Sequence, residues 1–246
     1  MSDWRVLPGV DPEAAAHFKD LAAVFALSGE IVARDPLSEV VRVRVGKRLY
    51  YVKRYAGLGK RPIRRMFATP RVVKEWTNLQ RFATWGIPTA PLAAYGLERR
   101  SGVFLRGAVI TAEIPDTMDL RQIAQSGDAR LRDRRWVRGI SRQLADVTRR
   151  MHDHRFAHND LKWRNLLVDG SGRLYLIDCP SGAFWWPPFL EYRIVKDLAC
   201  LDKVAKYQLS RTQRLRFYLD YARKRQLDAA DKRRIRKIVA FFEGRE

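Results

Sequence analysis

Residues 158–168 read HNDLKWRNLLV, and an apolar run, LYLI (174–177), then delivers a second acid, Asp178. No other stretch constrains the fold as tightly. Asp160 and Asn165 lie on one short loop, so Leu161, Lys162, Trp163 and Arg164 must carry the chain around an excursion that turns the two polar side chains to different tasks. Asp169, Gly170, Ser171 and Gly172 have the composition of a turn between LLV (166–168) and LYLI, so a hairpin brings Asp178 back to the loop. Two carboxylates and one amide oxygen are thereby collected at one end of a hairpin. The set suits Mg²⁺, which takes one or two carboxylates and lets phosphate oxygens fill the rest of its shell. H-x-D-x-x-x-x-N followed by a strand-end Asp is also an arrangement used in phosphoryl transfer. In that chemistry Asp160 orients the acceptor hydroxyl and takes its proton, while Asn165 and Asp178 hold the metal. The alternative is a hairpin with solvated acids at its ends, which requires neither the Asn nor the spacing.

Phosphoryl transfer of this kind also needs a strand lysine and a helix glutamate to hold it. VVRVRV (40–45) and LYYV (49–52) flank Gly46 and Lys47 as two strands joined by a tight turn, and Lys53 ends the second. From Arg71 to Phe82, Val72, Val73, Trp76, Leu79 and Phe82 recur at helical spacing. Glu75 lies on this helix and is the only acid between Val40 and Gly96, which marks it as the partner of Lys53; a solvated glutamate is the alternative. The strand AVITAEI (108–114) ends before Pro115 and Asp116, where a hinge would fall, and backbone groups of Glu113 and Ile114 could meet an adenine edge. A helix opens near Asp119. A long one follows, with Trp136, Val137, Ile140, Leu144, Val147 and Met151 on one face. His152, His154 and His158 lack metal-ligand spacing and read as packing residues, with His158 supporting the catalytic loop.

The motifs resemble those of the protein-kinase-like superfamily and, more narrowly, the lipopolysaccharide core kinase (Kdo/WaaP) family. The resemblance spans roughly residues 28 to 205 and includes YYVKRY (50–55), VVKEWTNLQRF (72–82), GIPTAPLAAYG (86–96), RRMH (149–152) and VKDLACL (195–201). It implies an α+β, two-lobed fold in one domain (1–246): an N-terminal helical extension over 1–27, a small antiparallel-sheet lobe with one main helix over 28–114, and a mostly helical lobe over 115–246. It implies ATP as donor, Mg²⁺ as metal, and heptose or 3-deoxy-manno-octulosonic acid (Kdo) of the lipopolysaccharide inner core as acceptor, at the cytoplasmic face of the inner membrane. It also implies that Asp160 is the base and that Asp197 braces the catalytic loop through its backbone. Lys162 is placed to offset γ-phosphate charge, with a solvated lysine as the alternative.

Three departures from the kinase pattern point away from a regulated protein kinase. No glycine lies between Gly29 and Gly46, so the phosphate-covering flap is absent or replaced by the turn Asp35–Pro36–Leu37–Ser38, whose amides could face phosphate. Asn159 stands where an arginine would anchor a phosphorylated loop, which argues for a constitutively formed site. Cys179 and Pro180 follow Asp178, and no APE-like segment comes after them.

The net charge of +21 calls for an anionic partner. Twelve Lys or Arg and no acid lie between Arg42 and Lys74, including Lys60, Arg61, Arg64 and Arg65, and thirteen basic residues face three acids from Lys203 to Lys237. Nucleic acid, anionic lipid and a phosphorylated glycolipid would all satisfy this charge. The uncharged run AFWWPPFL (183–190) favours a membrane-docking loop, with an internal aromatic cluster as the alternative. The expected partners are the core glycolipid and the anionic inner-membrane surface, with nucleic acid disfavoured and the chain monomeric. A helix from Asp11 through Leu27, no signal pattern and no apolar run of spanning length imply a peripheral cytoplasmic protein. Two cysteines fit a reducing compartment. The competing functional readings are a small-molecule phosphotransferase of the aminoglycoside or choline kinase type and a non-catalytic pseudokinase that binds membrane or nucleic acid.

Overall fold

The computed structural model describes residues 2–57 and 69–244, so the basic cluster at Lys60, Arg61, Arg64 and Arg65 lies outside the described residues. The chain forms two compact units, Met1–Phe82 with Thr89–Ile114, and Ala83–Pro88 with Pro115–Glu246.

The first unit contains β1 (Ser2–Val6), α1 (Pro12–His17), α2 (Leu21–Ala26), β2 (Glu30–Asp35), β3 (Ser38–Val45), β4 (Arg48–Ala56), α3 (Arg71–Thr84), β5 (Leu92–Arg100) and β6 (Val103–Ala112). Its strands form one antiparallel sheet in the order β1-β5-β6-β4-β3-β2. Period-two alternation sets the faces of β3: Val41, Val43 and Val45 are buried, while Arg42 and Arg44 are not. The turn from β3 to β4 places Gly46 at φ 57°, and a Cβ there would come within 2.7 Å of the Glu13 carboxylate. The positive φ is the demand that glycine answers, since the Glu13 carboxylate is the end of a flexible side chain and can move aside. The core joins Phe18, Leu21 and Val24 of the N-terminal segment to Val41, Val52, Tyr50, Ala94 and Ile110 of the sheet.

The single helix expected from Asp11 through Leu27 is two short helices instead. Asp11 caps the first and Asp20 the second, each carboxylate accepting a first-turn amide, and the chain turns between them so that Phe18 meets Tyr50 edge-on at 5.0 Å. Nor is the segment purely helical. β1 pairs with β5 through Trp4 opposite Gly96, where a Cβ would lie 2.1 Å from the Asp3 carbonyl oxygen. Residues 2–26 are therefore part of the sheet and core of this unit.

The second unit holds β7 (Met118–Asp119), α4 (Leu120–Gln125), α5 (Arg134–Asp153), β8 (Phe156–Ala157), β9 (Leu166–Val168), β10 (Leu174–Leu176), β11 (Ala183–Phe184), α6 (Pro187–Gln208), α7 (Arg211–Ala222) and α8 (Ala229–Ala240). An Asp119–Gln122 capping box starts α4. Helix α5 buries Val137, Ile140, Leu144, Val147 and Met151, the stripe expected from the sequence. Ala145, Val195, Leu198, Tyr218, Tyr221 and Ile238 form a core shared by the last four helices. An apolar cavity of about 440 Å³ adjoins that core, lined in part by Leu144, Leu198, Leu201 and Ile238. Cys179 and Cys200 are buried and not joined in a disulfide. Among the described residues no helix is long and apolar enough to cross a membrane.

The run 183–190 is neither a free loop nor one cluster. Ala183 and Phe184 pair with β8, Trp186 caps α6, and Pro187 takes its first position, where a missing N–H costs nothing. Trp185 lies beneath the Arg193 guanidinium at 4.0 Å, whereas Trp186 and Phe189 are 77% and 65% exposed.

Candidate active site

Lys53 sits on β4 opposite Val40 and Val109, and its Nζ lies 3.1 Å from Glu75 Oε1 on α3. Glu75 is buried and also accepts the Tyr55 hydroxyl. A buried ion pair seldom stabilises more than an apolar pair of the same volume. Its presence in so basic a unit is better explained by a task for an oriented ammonium. Tyr55 was not foreseen as part of this site. Its alternate-residue spacing from Lys53 puts both on one face of β4, which is the signal that could have found it.

At the end of β6, the Glu113 amide donates to the Leu49 carbonyl at 2.8 Å and is therefore unavailable to an adenine. The Glu113 carboxylate accepts from Tyr51 at 3.4 Å and lies 3.9 Å from Arg42. Ile114 ends the first unit. The amides of Leu37 and Ser38, expected to be open to phosphate, instead donate to Asp35 Oδ1 at 2.7 and 3.0 Å. Burial raises the Asp35 pKa, but these amides and the Ser38 hydroxyl outweigh it and hold the carboxyl below its ordinary range. The turn supplies its own anion.

In the second unit the catalytic-loop residues converge. Asp160 meets Lys162 Nζ at 2.5 Å and Arg164 at 3.5 Å, so two cations share one carboxylate. Asn165 is buried, and its side-chain N–H donates to the Asp160 carbonyl at 2.9 Å, leaving Oδ1 as the atom for a metal. The Ile177 amide donates to the Asn165 carbonyl at 3.0 Å, and β10 pairs with β9, which together bring Asp178 to the loop. Asp169 holds the hairpin turn: its carboxylate accepts the Ser171 hydroxyl and the Ser171 and Arg173 amides, and its pKa falls to about 2.

Asp197 lies within α6, fully buried, and accepts the His158 amide at 2.7 Å and the Asn159 amide at 2.8 Å. His152 extends this network, with Nε2 3.4 Å from Asp197 and Nδ1 2.8 Å from the Tyr221 hydroxyl. Burial pushes the His158 ring well below the ordinary histidine range, against the pull of Asp197, Asp178 and Asp160. The ring is therefore neutral, a packing group rather than a cation. Asn159 does more than vacate an arginine's place. At φ 64° its side-chain N–H reaches the Ser181 carbonyl at 2.9 Å, tying the loop to the segment beyond Asp178. Trp163 anchors the same loop from within, its indole N–H donating to the Leu201 carbonyl at 3.0 Å.

The donor set fits magnesium better than a protein-only metal site. Among the described residues no group of three or more His, Cys, Asp or Glu could hold an ion alone. Asp178 and Asn165 offer the two oxygens that a phosphate-completed shell requires.

An antiparallel-sheet unit with one main helix and a second, mostly helical unit make up a kinase-like α+β fold. The model of the lipopolysaccharide kinase (Kdo/WaaP) family matches residues 28–221, and the chain belongs to that family. A solved structure of WaaP in complex with acyl carrier protein is similar in fold, with a TM-score of 0.75 and 23% identity over 98% of this chain and 97% of that one. No curated protein matches the chain. As a lipopolysaccharide kinase it uses ATP.

Proposed function

We propose that the chain transfers the γ-phosphoryl group of ATP to a hydroxyl of heptose or Kdo in the lipopolysaccharide inner core, acting as a single catalytic domain. The observation that carries this reading is the catalytic loop itself: Asp160 beside Lys162, and Asn165 held by its amide nitrogen on the Asp160 carbonyl. In this mechanism Asp160 orients the acceptor hydroxyl and takes its proton late, because a loose transition state makes positioning matter more than basicity. Lys162 and Arg164 pair with Asp160 at rest and fix the direction of its carboxylate, and Lys162 offsets charge on the transferring group. Lys53, steadied by Glu75 and Tyr55, takes phosphate oxygens of the donor. Asp178 and Asn165 would hold Mg²⁺, which supplies neutralisation of phosphate charge. The carbonyl of Glu113 and the backbone of Ile114 would meet the adenine. Asp197 and His158 keep the loop in place from behind.

The test is transfer from labelled ATP and Mg²⁺ to dephosphorylated lipopolysaccharide core, beside kanamycin, choline and casein as acceptors. Labelling confined to the core supports the reading. Labelling of a small acceptor alone would replace it with a small-molecule kinase.

The cationic surface and the exposed Trp186 and Phe189 support a peripheral position on an anionic inner-membrane leaflet. A further partner reading rests on the 440 Å³ apolar cavity, whose lining suits an acyl chain. The similar WaaP structure is a complex with acyl carrier protein, and an acylated carrier protein is a partner that could present such a chain here. Co-elution with the acylated but not the unacylated carrier would support that assignment, and co-elution with neither would remove it.

A further inference from the structure

A second recess in the helical unit, of about 470 Å³, has a different character. Its wall includes Arg132, Arg134, Arg138 and Arg216 with Ser210 and Thr212, and no carboxylate. The arginines reach it by design of the helices rather than by crowding. Arg134 and Arg138 are four residues apart on α5, and Thr212 and Arg216 are four apart on α7, so each helix presents two polar groups on the face that borders the recess.

Of the four guanidiniums only Arg138 is neutralised, by a two-pronged pair with Asp220. Arg132, Arg134 and Arg216 have no acidic partner among the described residues and are exposed. Like charges brought together around one concavity repel each other, and nothing on its wall offsets that cost.

An arginine fork matches the oxygens of phosphate two at a time, and hydroxyl donors beside it can serve the remaining oxygen. We propose that this recess binds the phosphate group of a phosphate monoester, separately from the candidate active site. The ester is carried by a free phosphorylated molecule or by a phosphorylated lipid headgroup, and the recess is large enough for a ligand of sugar-phosphate size. The inference does not depend on the kinase reading, because none of these residues is assigned a part in phosphoryl transfer.

The experiment uses the full chain with a non-hydrolysable ATP analogue and Mg²⁺ at saturation, so that phosphate cannot report the nucleotide site. Inorganic phosphate and glycerol 3-phosphate are titrated calorimetrically into the native protein, into R132Q/R216Q, and into R225Q/K237Q, which removes the same charge from other exposed positions. Flotation with phosphatidylcholine vesicles, with and without phosphatidic acid, runs in parallel. Saturable binding weakened about tenfold or more in R132Q/R216Q but not in R225Q/K237Q is expected. If the soluble phosphates show that dependence, the source is a free ligand. If only phosphatidic acid vesicles show it, the source is a headgroup. Equal weakening in both double variants, or no saturable binding of either probe, overturns the proposal.

Discussion

Asn159 and Asp178 hold φ at 64° and 58°, a conformation that non-glycine residues adopt at a cost of about 1–3 kcal/mol. Both are fixed by neighbours: Asn159 by the Asp197 and Ser181 oxygens, Asp178 by the strand end that Ile177 ties to Asn165. Replacing Asp197 with Asn leaves one of two buried amides facing an N–H₂ group, so a loss of about 1.5–3 kcal/mol in urea unfolding is expected. An unchanged midpoint would deny Asp197 its bracing part. The buried, neutral His158 gives a pH prediction. Its folded pKa lies below the ordinary 6.5, so the unfolded chain binds the extra proton first. Stability is therefore full above that pH and declines as pH falls below it. Between pH 7 and 5.5 the unfolding midpoint of the native protein should drop more than that of His158→Gln, and parallel slopes would contradict this. The approach of Asn165 to Asp160 and of the strand end before Asp178 to Asn165 was legible in the sequence, because a short loop followed by a hairpin leaves the chain little else to do. The bond of Asn159 to Ser181 was not, since it joins residues about twenty apart through a contact that no local pattern encodes, and that of Glu75 to Tyr55 had its one signal in the face that Tyr55 shares with Lys53 on β4.

At the scale of elements, legibility followed period. Helices α3 and α5 carry long apolar stripes, and β3 and β4 alternate, so each announced itself. Strand β2 is exposed along its whole length, with Ile31 and Val32 at 53% and 49%, and has no buried face to read. The break between α1 and α2 had a signal in Asp20, whose capping of Ala23 marks a new start, but the surrounding apolar residues read as one continuous helix. Pro187 and Pro188 read as loop because proline ends helices more often than it is recognised as opening one. The two N-terminal helices are more than an appendage, since Phe18 is fully buried against the sheet. Phe18→Ala should cost about 3–5 kcal/mol, measurable by thermal or urea unfolding. A loss under about 1 kcal/mol would mean that α1 and α2 only lie on the surface.

Across the whole molecule, a charge of +21 and two exposed aromatics beside the start of α6 lead to a prediction about surfaces. Trp186 and Phe189 are the residues to change, because Trp185 is occupied under Arg193. Trp186→Ser with Phe189→Ser should weaken binding to anionic vesicles, and added salt should weaken what remains; a folded double variant that binds as before would remove these residues from any membrane contact. Composition disclosed the charge but not its arrangement, and the recess formed by Arg132, Arg134, Arg138 and Arg216 emerges only when α5 and α7 are packed together. The central claim is that Asp160 performs the chemistry of an ATP-dependent lipopolysaccharide kinase. Single-turnover transfer from labelled ATP to dephosphorylated core, measured for the native chain and Asp160→Ala with ATP binding followed in parallel, tests it most directly. Turnover lower by about 10² to 10⁴ in the variant, with ATP still bound and the fold intact, is expected. Transfer by Asp160→Ala at the native rate would contradict it.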